Sequence, residues 1–248
     1  MSSGNQPPQA EVDSSRLLIT LGSVGVLAGL LIVIVHQATQ PSIQAYKAMK
    51  LEEAVSEVLG APARWDTLYL VNGELTLETP EGADRNSLDT VFLGYREDGT
   101  PVGYAISGAE PGFQDIIELL FGYDAQTKKL LGMKVLASKE TPGLGDKIEK
   151  DDAFQAEFDG PETPLEGVKA GRATGAANEI DMITGATISS RTVIGIINRR
   201  LERLAPTLET YLKERDIQAR ERSHEPMRSR QSTQHEAWGW GPAPLVEE

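Results

Sequence analysis

An uncharged apolar stretch near the N-terminus constrains this chain most. Leu17–Val35 reads LLITLGSVGVLAGLLIVIV, nineteen residues without a charged side chain. As an α-helix it spans about 28 Å, close to the thickness of the hydrocarbon layer of a bilayer. It is longer than the apolar part of a secretory signal peptide, and Glu11 and Asp13 precede the lone Arg16 on its N-terminal side. The sequence therefore predicts a retained, single transmembrane helix over residues 16–36.

Composition excludes several kinds of chemistry. The chain has 24 Lys and Arg against 37 Asp and Glu, a formal net charge of −13, and it contains no cysteine. Such an acidic chain is repelled by a nucleic-acid backbone, so no nucleic-acid partner is predicted. Disulfides, cysteine-bound zinc and iron–sulfur clusters are excluded. The three histidines, His36, His224 and His235, lie outside the middle of the chain. We therefore predict neither a metal site nor a catalytic residue there, and expect any chemistry to come from a cofactor.

Three hairpin patterns predict the fold class. The first is centred on Asn72-Gly73, a dipeptide typical of two-residue turns, and the second on Asp98-Gly99. The predicted strand pairs are Thr67–Val71 with Glu74–Glu78, Val91–Arg96 with Val102–Ser107, and Ile116–Tyr123 with Leu130–Ala137. Consecutive hairpins make an antiparallel sheet. The predicted class is α+β: one N-terminal transmembrane helix, then a mainly antiparallel β-sheet domain with flanking helices.

Helical patterns complete the predicted organisation. Pro41 can open a helix that stops at Gly60, and a short helix is predicted around Ala153–Phe158. A last helix follows Ser190, with a core-facing apolar stripe and a break or restart at Pro206. The predicted divisions are a disordered N-terminus over 1–15, the membrane helix over 16–36, a folded domain over 37–212 and a disordered tail over 213–248.

The most informative stretch lies just before the last helix. Asp181–Ser190 reads DMITGATISS, in which small residues and hydroxyls lead directly into an amphipathic helix. The free N–H groups at a helix start favour a phosphate, which would lie beside Thr187 and Ser189. A purely structural interpretation is also open: Thr187, Ser189 or Ser190 caps the helix, and Gly185 serves a turn.

This stretch resembles the signature Asp-x-x-Ser/Thr-Gly-Ala-Thr-x-Ser of flavin-binding subunits in the Rnf and sodium-pumping quinone reductase complexes. The defining positions are all present as Asp181, Thr184, Gly185, Ala186, Thr187 and Ser189. In that family the threonine of Gly-Ala-Thr is esterified to the phosphate of FMN. The resemblance therefore implies covalent FMN on Thr187. It also implies that Asp181 positions a flavin transferase or its magnesium, although Asp181 can equally cap the turn.

A second loop resembles another element of the same family. Residues 139–147 read KETPGLGDK, and the family's corresponding loop lies close to the bound flavin. The resemblance thus places five further residues at the cofactor: Glu140, Thr141, Gly143, Leu144 and Gly145. An ordinary Pro-Gly turn, with Lys139 and Glu140 as a solvated ion pair, is the alternative. The loop is most similar to that of the G subunit of the Rnf complex, and the C subunit of the sodium-translocating NADH:quinone reductase is the second choice.

The resemblance implies a function as well as a cofactor. It implies a covalent-FMN electron-transfer subunit of a membrane-bound Rnf-type complex, which couples electron transfer between ferredoxin and NAD to ion translocation. The chain alone would have no complete activity, and would need the other subunits and a separate flavin transferase. The folded domain would face the periplasm from the inner membrane, whereas the counts of Lys and Arg beside the span weakly favour the opposite orientation. A non-redox flavin-binding scaffold or sensor is the remaining alternative.

Overall fold

The computed structural model describes residues 14–79 and 88–224. These residues fall into two compact units that divide between Glu53 and Ala54. The first unit contains most of helix α1, and the second contains the β-sheet, three further helices and the candidate site. Of the predicted disordered segments, residues 1–13 and 225–248 lie outside the described part of the chain.

Helix α1 runs from Ser14 to Val58 without interruption. The apolar stretch Leu17–Val35 is exposed along this helix, which is long and apolar enough to cross a membrane. The prediction of two helices was wrong, because Pro41 lies inside α1 and does not begin a new helix. Proline removes one backbone hydrogen bond but has a helical φ, so a long helix can continue through it. At its other end α1 buries Ala54, Val55 and Val58 in the second unit.

Six antiparallel strands form the main sheet, as predicted. They are β1 (Arg64–Val71), β2 (Glu74–Thr76), β3 (Asp89–Tyr95), β4 (Pro101–Pro111), β5 (Ile116–Asp124) and β6 (Lys129–Ala137), in the spatial order β2-β1-β3-β4-β5-β6. All three predicted hairpins are present. Asn72 and Gly73 have φ values of 53° and 88°, the left-handed conformation that a tight hairpin turn requires. Strand β2 is shorter than predicted, because it ends at Thr76 rather than Glu78.

Helix α4 (Thr187–His224) packs on this sheet and completes the core. The predicted stripe is buried along it: Ile194, Ile197, Leu201, Leu204, Leu208 and Leu212. Gly108 of β4 allows this approach, since a Cβ there would overlap Ile196. The Tyr104 hydroxyl donates to the Leu208 carbonyl oxygen over 3.1 Å. The sheet and the last helix therefore share one apolar core.

Two predictions about α4 were wrong. Pro206 lies inside the helix and neither breaks nor restarts it. The helix also continues to His224, so residues 213–224 are helical rather than part of a disordered tail. This segment contains no glycine or proline and is rich in Lys, Arg, Glu and Gln, which are good helix formers.

A smaller layer joins the sheet to the start of α4. It contains the short helices α2 (Lys147–Lys150) and α3 (Asp152–Ala156) and the parallel strands β7 (Glu166–Lys169) and β8 (Glu179–Met182). The Asp151 side chain caps α3, and the rings of Phe154 and Phe158 meet edge to face at 5.2 Å. The strand pair was not predicted, because two four-residue strands carry too little alternation to be recognised. Strand β8 ends immediately before the turn that begins α4.

Candidate cofactor site

The turn between β8 and α4 is held by its own backbone and by one buried hydroxyl. Gly185 has a φ of +85°, which a residue with a side chain adopts only with strain. The Ala186 amide donates to the Ile183 carbonyl oxygen over 3.1 Å. The buried Ser190 hydroxyl donates to the Ala186 carbonyl over 3.0 Å and accepts from the Ile183 amide over 3.1 Å. Ser190 therefore fixes the shape of the turn.

Helix α4 begins at Thr187 without a side-chain cap. Ala186 precedes the first helical residue, and alanine has no oxygen with which to satisfy the helix amides. The Ser190 amide is bonded to the Ala186 carbonyl at 2.9 Å, whereas the amides of Thr187, Ile188 and Ser189 lie in the first turn, where no intrahelical acceptor exists. The structure thus differs from the capping interpretation of Thr187. The helix start presents free N–H groups at its positive end.

Thr187 itself is accessible at this helix start. Its side chain is half-buried, and its hydroxyl has no hydrogen-bond partner among the described residues. Thr184, in contrast, is exposed on the turn before the helix. Of these two threonines, Thr187 is therefore the one at the helix start with the uncapped amides.

The loop after β6 lies against the start of α4. Within it, the Leu144 amide donates to the Thr141 carbonyl over 3.1 Å, and Gly143 has a φ of +77°. A Cβ on Gly145 would lie 2.7 Å from Glu140 Oε2 and 2.9 Å from Ser189 Oγ. Only glycine fits at this contact, and the loop can therefore pack directly on the first turn of the helix.

Glu140 joins this loop to the two neighbouring segments. Its side chain is only 5% exposed. Oε1 accepts hydrogen bonds from the amides of Phe113 (3.0 Å), Gln114 (3.1 Å) and Asp115 (3.4 Å) in the β4–β5 turn. Oε2 accepts a hydrogen bond of 2.7 Å from the Ser189 hydroxyl in α4. The alternative of a solvated ion pair between Lys139 and Glu140 is not observed, since Lys139 Nζ lies 3.3 Å from Asp115 Oδ2 instead.

These contacts keep Glu140 ionised. Burial by itself would raise the pKa of Glu140, because it disfavours the charged form. The Ser189 hydroxyl and the amides of Gln114, Asp115 and Phe113 donate to the carboxylate and together lower the pKa below its ordinary value. At neutral pH the site therefore contains a fixed, buried negative charge.

A cavity of about 320 Å³ opens between these segments. Most of the predicted site residues line it: Thr187, Gly185, Ala186, Ser189, Glu140, Thr141, Leu144 and Gly145. Phe113 and Ile188 also line it, and sequence reasoning missed both. With Leu144 they form an apolar rim in which each side chain is half to two-thirds exposed. The position of Phe113 beside Pro111-Gly112 in a hairpin turn was the only signal that could have indicated it.

Three predicted residues do not line the cavity. Asp181 lies in β8, where its amide is 3.5 Å from Glu157 Oε2 and its Oδ1 is buried with no hydrogen-bond partner among the described residues. Thr184 and Gly143 lie at the outer ends of their turns and are exposed. These three residues belong to the same sequence motifs as the lining residues. They therefore lie close to the cavity along the chain, but they do not form its wall.

Comparison with known proteins identifies the domain that contains this cavity. The sequence profile of the FMN-binding domain matches residues 112–202, the range that contains all the cavity-lining residues. The fold is that of NqrC from Shewanella oneidensis, which covers 68% of this chain and 99% of its own, with a TM-score of 0.58 and 16% identity. The second unit therefore belongs to the class of FMN-binding domains.

Curated relatives define the family more closely. The G subunit of the ion-translocating oxidoreductase complex is 31% identical in Cereibacter sphaeroides (78% of this chain, 86% of the relative). It is 30% identical in Photorhabdus laumondii (73% and 85%) and 28% identical in Methanosarcina acetivorans (76% and 93%). The chain belongs to the family of G subunits of ion-translocating oxidoreductase complexes. The predicted resemblance is confirmed, and the likeness to NqrC, at 16% identity, is a likeness of fold.

Proposed function

We propose that this chain is the covalent-FMN electron-transfer subunit of an Rnf-type ion-translocating oxidoreductase complex, with the FMN phosphate esterified to Thr187. One observation carries the proposal: Thr187 begins an uncapped helix and lines the cavity with a hydroxyl that no described residue engages. An FMN group fits the residues present. The free amides of the first helical turn suit a phosphate, and the apolar rim of Phe113, Leu144 and Ile188 suits a flat aromatic ring.

The same geometry argues that a second enzyme attaches the flavin. A threonine hydroxyl needs a general base to become a nucleophile. Glu140 is the only ionisable residue among those that line the cavity, and both of its oxygens already accept hydrogen bonds. We therefore propose that a flavin transferase cleaves FAD, releases AMP and places FMN on Thr187. We also propose that the half-buried Asp181 helps to position this enzyme or its magnesium.

Once bound, FMN supplies the ability to carry one or two electrons, and the protein supplies position and electrostatics. The chain contains no cysteine with which to hold an iron–sulfur cluster, so any such relay to ferredoxin belongs to partner subunits. We propose that the nicotinamide end belongs to partner subunits as well. We propose that α1 anchors the subunit in the inner membrane and that the folded unit lies on the periplasmic side. The free-energy coupling to ion movement then belongs to the assembled complex.

Flavin fluorescence after denaturation tests the proposal. The full chain is produced together with a flavin transferase and run on a denaturing gel, as wild type, Thr187→Ala and Thr141→Ala. Thr141 is the matched control, because it is the other threonine that lines the cavity. We expect fluorescent bands for wild type and Thr141→Ala and a dark band for Thr187→Ala. A dark wild-type band would refute covalent attachment, and a fluorescent Thr187→Ala band would refute Thr187 as the attachment site.

A further inference from the structure

We propose that Glu140 is a positioning residue with two effects: its carboxylate holds the walls of the cavity together, and its charge biases the bound flavin toward the oxidised form. The second effect rests on the proposed function, whereas the first does not. Neither the Gly-Ala-Thr motif nor the match to an FMN-binding domain assigns such a role. The resemblance places Glu140 near the flavin as one of several contacts, and the geometry gives it a different task.

The carboxylate of Glu140 connects three segments that are distant in sequence. They are its own loop, the β4–β5 turn 25 to 27 residues earlier, and helix α4 49 residues later. Gly112 and Gly145 flank it, and a Cβ on either glycine would overlap a carboxylate oxygen. The surroundings are therefore built for a glutamate at this position. Phe113 on one wall and Ser189 on the other are held in register through it.

The hydrogen-bond capacity of Glu140 is largely used within the protein. Oε1 accepts from backbone amides and Oε2 accepts from Ser189, so the carboxylate has little capacity left for a ligand. A hydroxyl has one hydrogen to donate, and Ser189 gives its hydrogen to Glu140. Ser189 therefore cannot donate to a phosphate at the same time. The phosphate must depend on the backbone amides at the start of α4, which Glu140 leaves free.

The charge of Glu140 is not balanced by a cation. Among the side chains that the structure describes, no Lys or Arg forms an ion pair with Glu140, and the nearby Lys139 pairs with Asp115. The carboxylate is stabilised by dipoles but its charge is not cancelled. Reduction of a flavin by two electrons and one proton leaves it with an added negative charge. Because Glu140 is buried, its charge is weakly screened, so it disfavours that added charge and lowers the midpoint potential.

Two variants separate charge from shape. Glu140→Gln keeps the shape: its carbonyl oxygen can accept from the β4–β5 amides, and its amide can donate to Ser189. We expect its flavin to be at least tenfold easier to reduce at equilibrium, a rise of about 30 mV for a two-electron couple. Potentials are measured on the full-length flavinylated chain in detergent, with dithionite as the source of electrons. Asp115→Asn is the matched control, since it removes a partly exposed negative charge in the β4–β5 turn that Glu140 contacts.

Glu140→Asp tests the clamp without any flavin. It keeps the charge but withdraws the carboxylate by one methylene, so both walls can no longer be held. In full-length protein made without a flavin transferase, we expect the amides of Phe113 and Gln114 to exchange hydrogen at least tenfold faster than in wild type. Glu140→Gln should retain most of their protection. This hydrogen-exchange measurement needs no flavin. A failure of the proposed function can therefore be distinguished from a failure of the clamp.

Three results would overturn the inference. The first is a midpoint potential of Glu140→Gln equal to that of wild type. The second is an equal shift in Asp115→Asn, which would indicate a general effect of net charge. The third is unchanged protection of Phe113 and Gln114 in Glu140→Asp, which would show that the walls are held without the carboxylate.

Discussion

The sheet core and the cavity wall are held together by different forces. In the core, Leu93, Ile106, Phe121 and their neighbours are fully buried apolar side chains between the sheet and α4. Among the described residues, the buried polar side chains are Glu140, Ser189 and Ser190, and all three belong to the cavity or its turn. The core is thus stabilised by removal of apolar surface from water, and the wall by hydrogen bonds whose loss leaves unsatisfied groups.

This difference determines where the protein tolerates change. Apolar contacts are many and individually small, so a core residue can be trimmed at a graded cost. In a buried polar network, the loss of one hydrogen-bonding group leaves its partner groups without a hydrogen bond. We therefore expect core substitutions to lower stability while sparing the site, and substitutions in the wall to alter the site at a smaller cost in stability.

The largest expected effect is in the core. Phe121 lies in β5 and is completely buried, so Phe121→Ala leaves a cavity under α4. We expect a loss of about 3–5 kcal/mol in the free energy of unfolding, measured by denaturant titration of the full chain in detergent. Flavin attachment to Thr187 should be unchanged at temperatures where the variant is folded. A folded Phe121→Ala chain that accepts no flavin would contradict the expectation that core substitutions spare the site.

A smaller effect is expected in the wall, where two glycines of one loop form a matched pair. At Gly145 a Cβ would press on Glu140 and Ser189, and Gly145→Ala should cost about 1–3 kcal/mol and reduce the yield of covalent flavin. At Gly143 no atom lies within 4 Å of such a Cβ, and the φ of +77° is the only obstacle. Gly143→Ala should cost about 1–2 kcal/mol and leave the flavin yield unchanged. Equal flavin yields in the two variants would argue against packing of the loop on α4.

The smallest effect is a dependence on pH. The pKa of Glu140 is lowered in the folded chain, so ionised Glu140 stabilises the fold above its ordinary pKa of 4.5, and this contribution is lost as the pH falls through the folded pKa. Glu140→Gln has no such group to titrate. We expect the difference in unfolding free energy between wild type and Glu140→Gln to be constant near neutral pH and to narrow in acid. A difference that widens in acid would mean that the folded state raises this pKa instead.

Local patterns explain what the sequence could predict. The turn at Asn72-Gly73, the alternation of the strands and the stripe from Ile194 to Leu212 depend on neighbouring residues, and all were predicted. The predictions based on Pro41 and Pro206 were wrong. A proline often ends or begins a helix, but both of these prolines lie inside long helices that continue through them. The polar, aliphatic-poor composition after residue 212 also misled, because favourable helix formers extend α4 beyond its buried stripe.

The site was predicted in part for the same reason. The motif around Thr187 is contiguous, so its residues could be named from the sequence. The hydrogen bonds of Glu140 to Phe113 and Ser189 join positions 27 and 49 residues away, and no local pattern reports such a pairing. Phe113 and Ile188 were missed because their exposure is meaningful only once the cavity between them is known.

Peptide mass spectrometry of the flavinylated chain is the decisive test of FMN attachment at Thr187. Trypsin should release residues 173–191, which contain Thr174, Thr184, Thr187, Ser189 and Ser190. Fragmentation of this peptide locates the modification on one hydroxyl. We expect a mass increase equal to one FMN less one water, carried by Thr187 alone. FMN on Thr184 or on another residue, or a peptide without any modification from protein made with an active flavin transferase, would contradict the assignment.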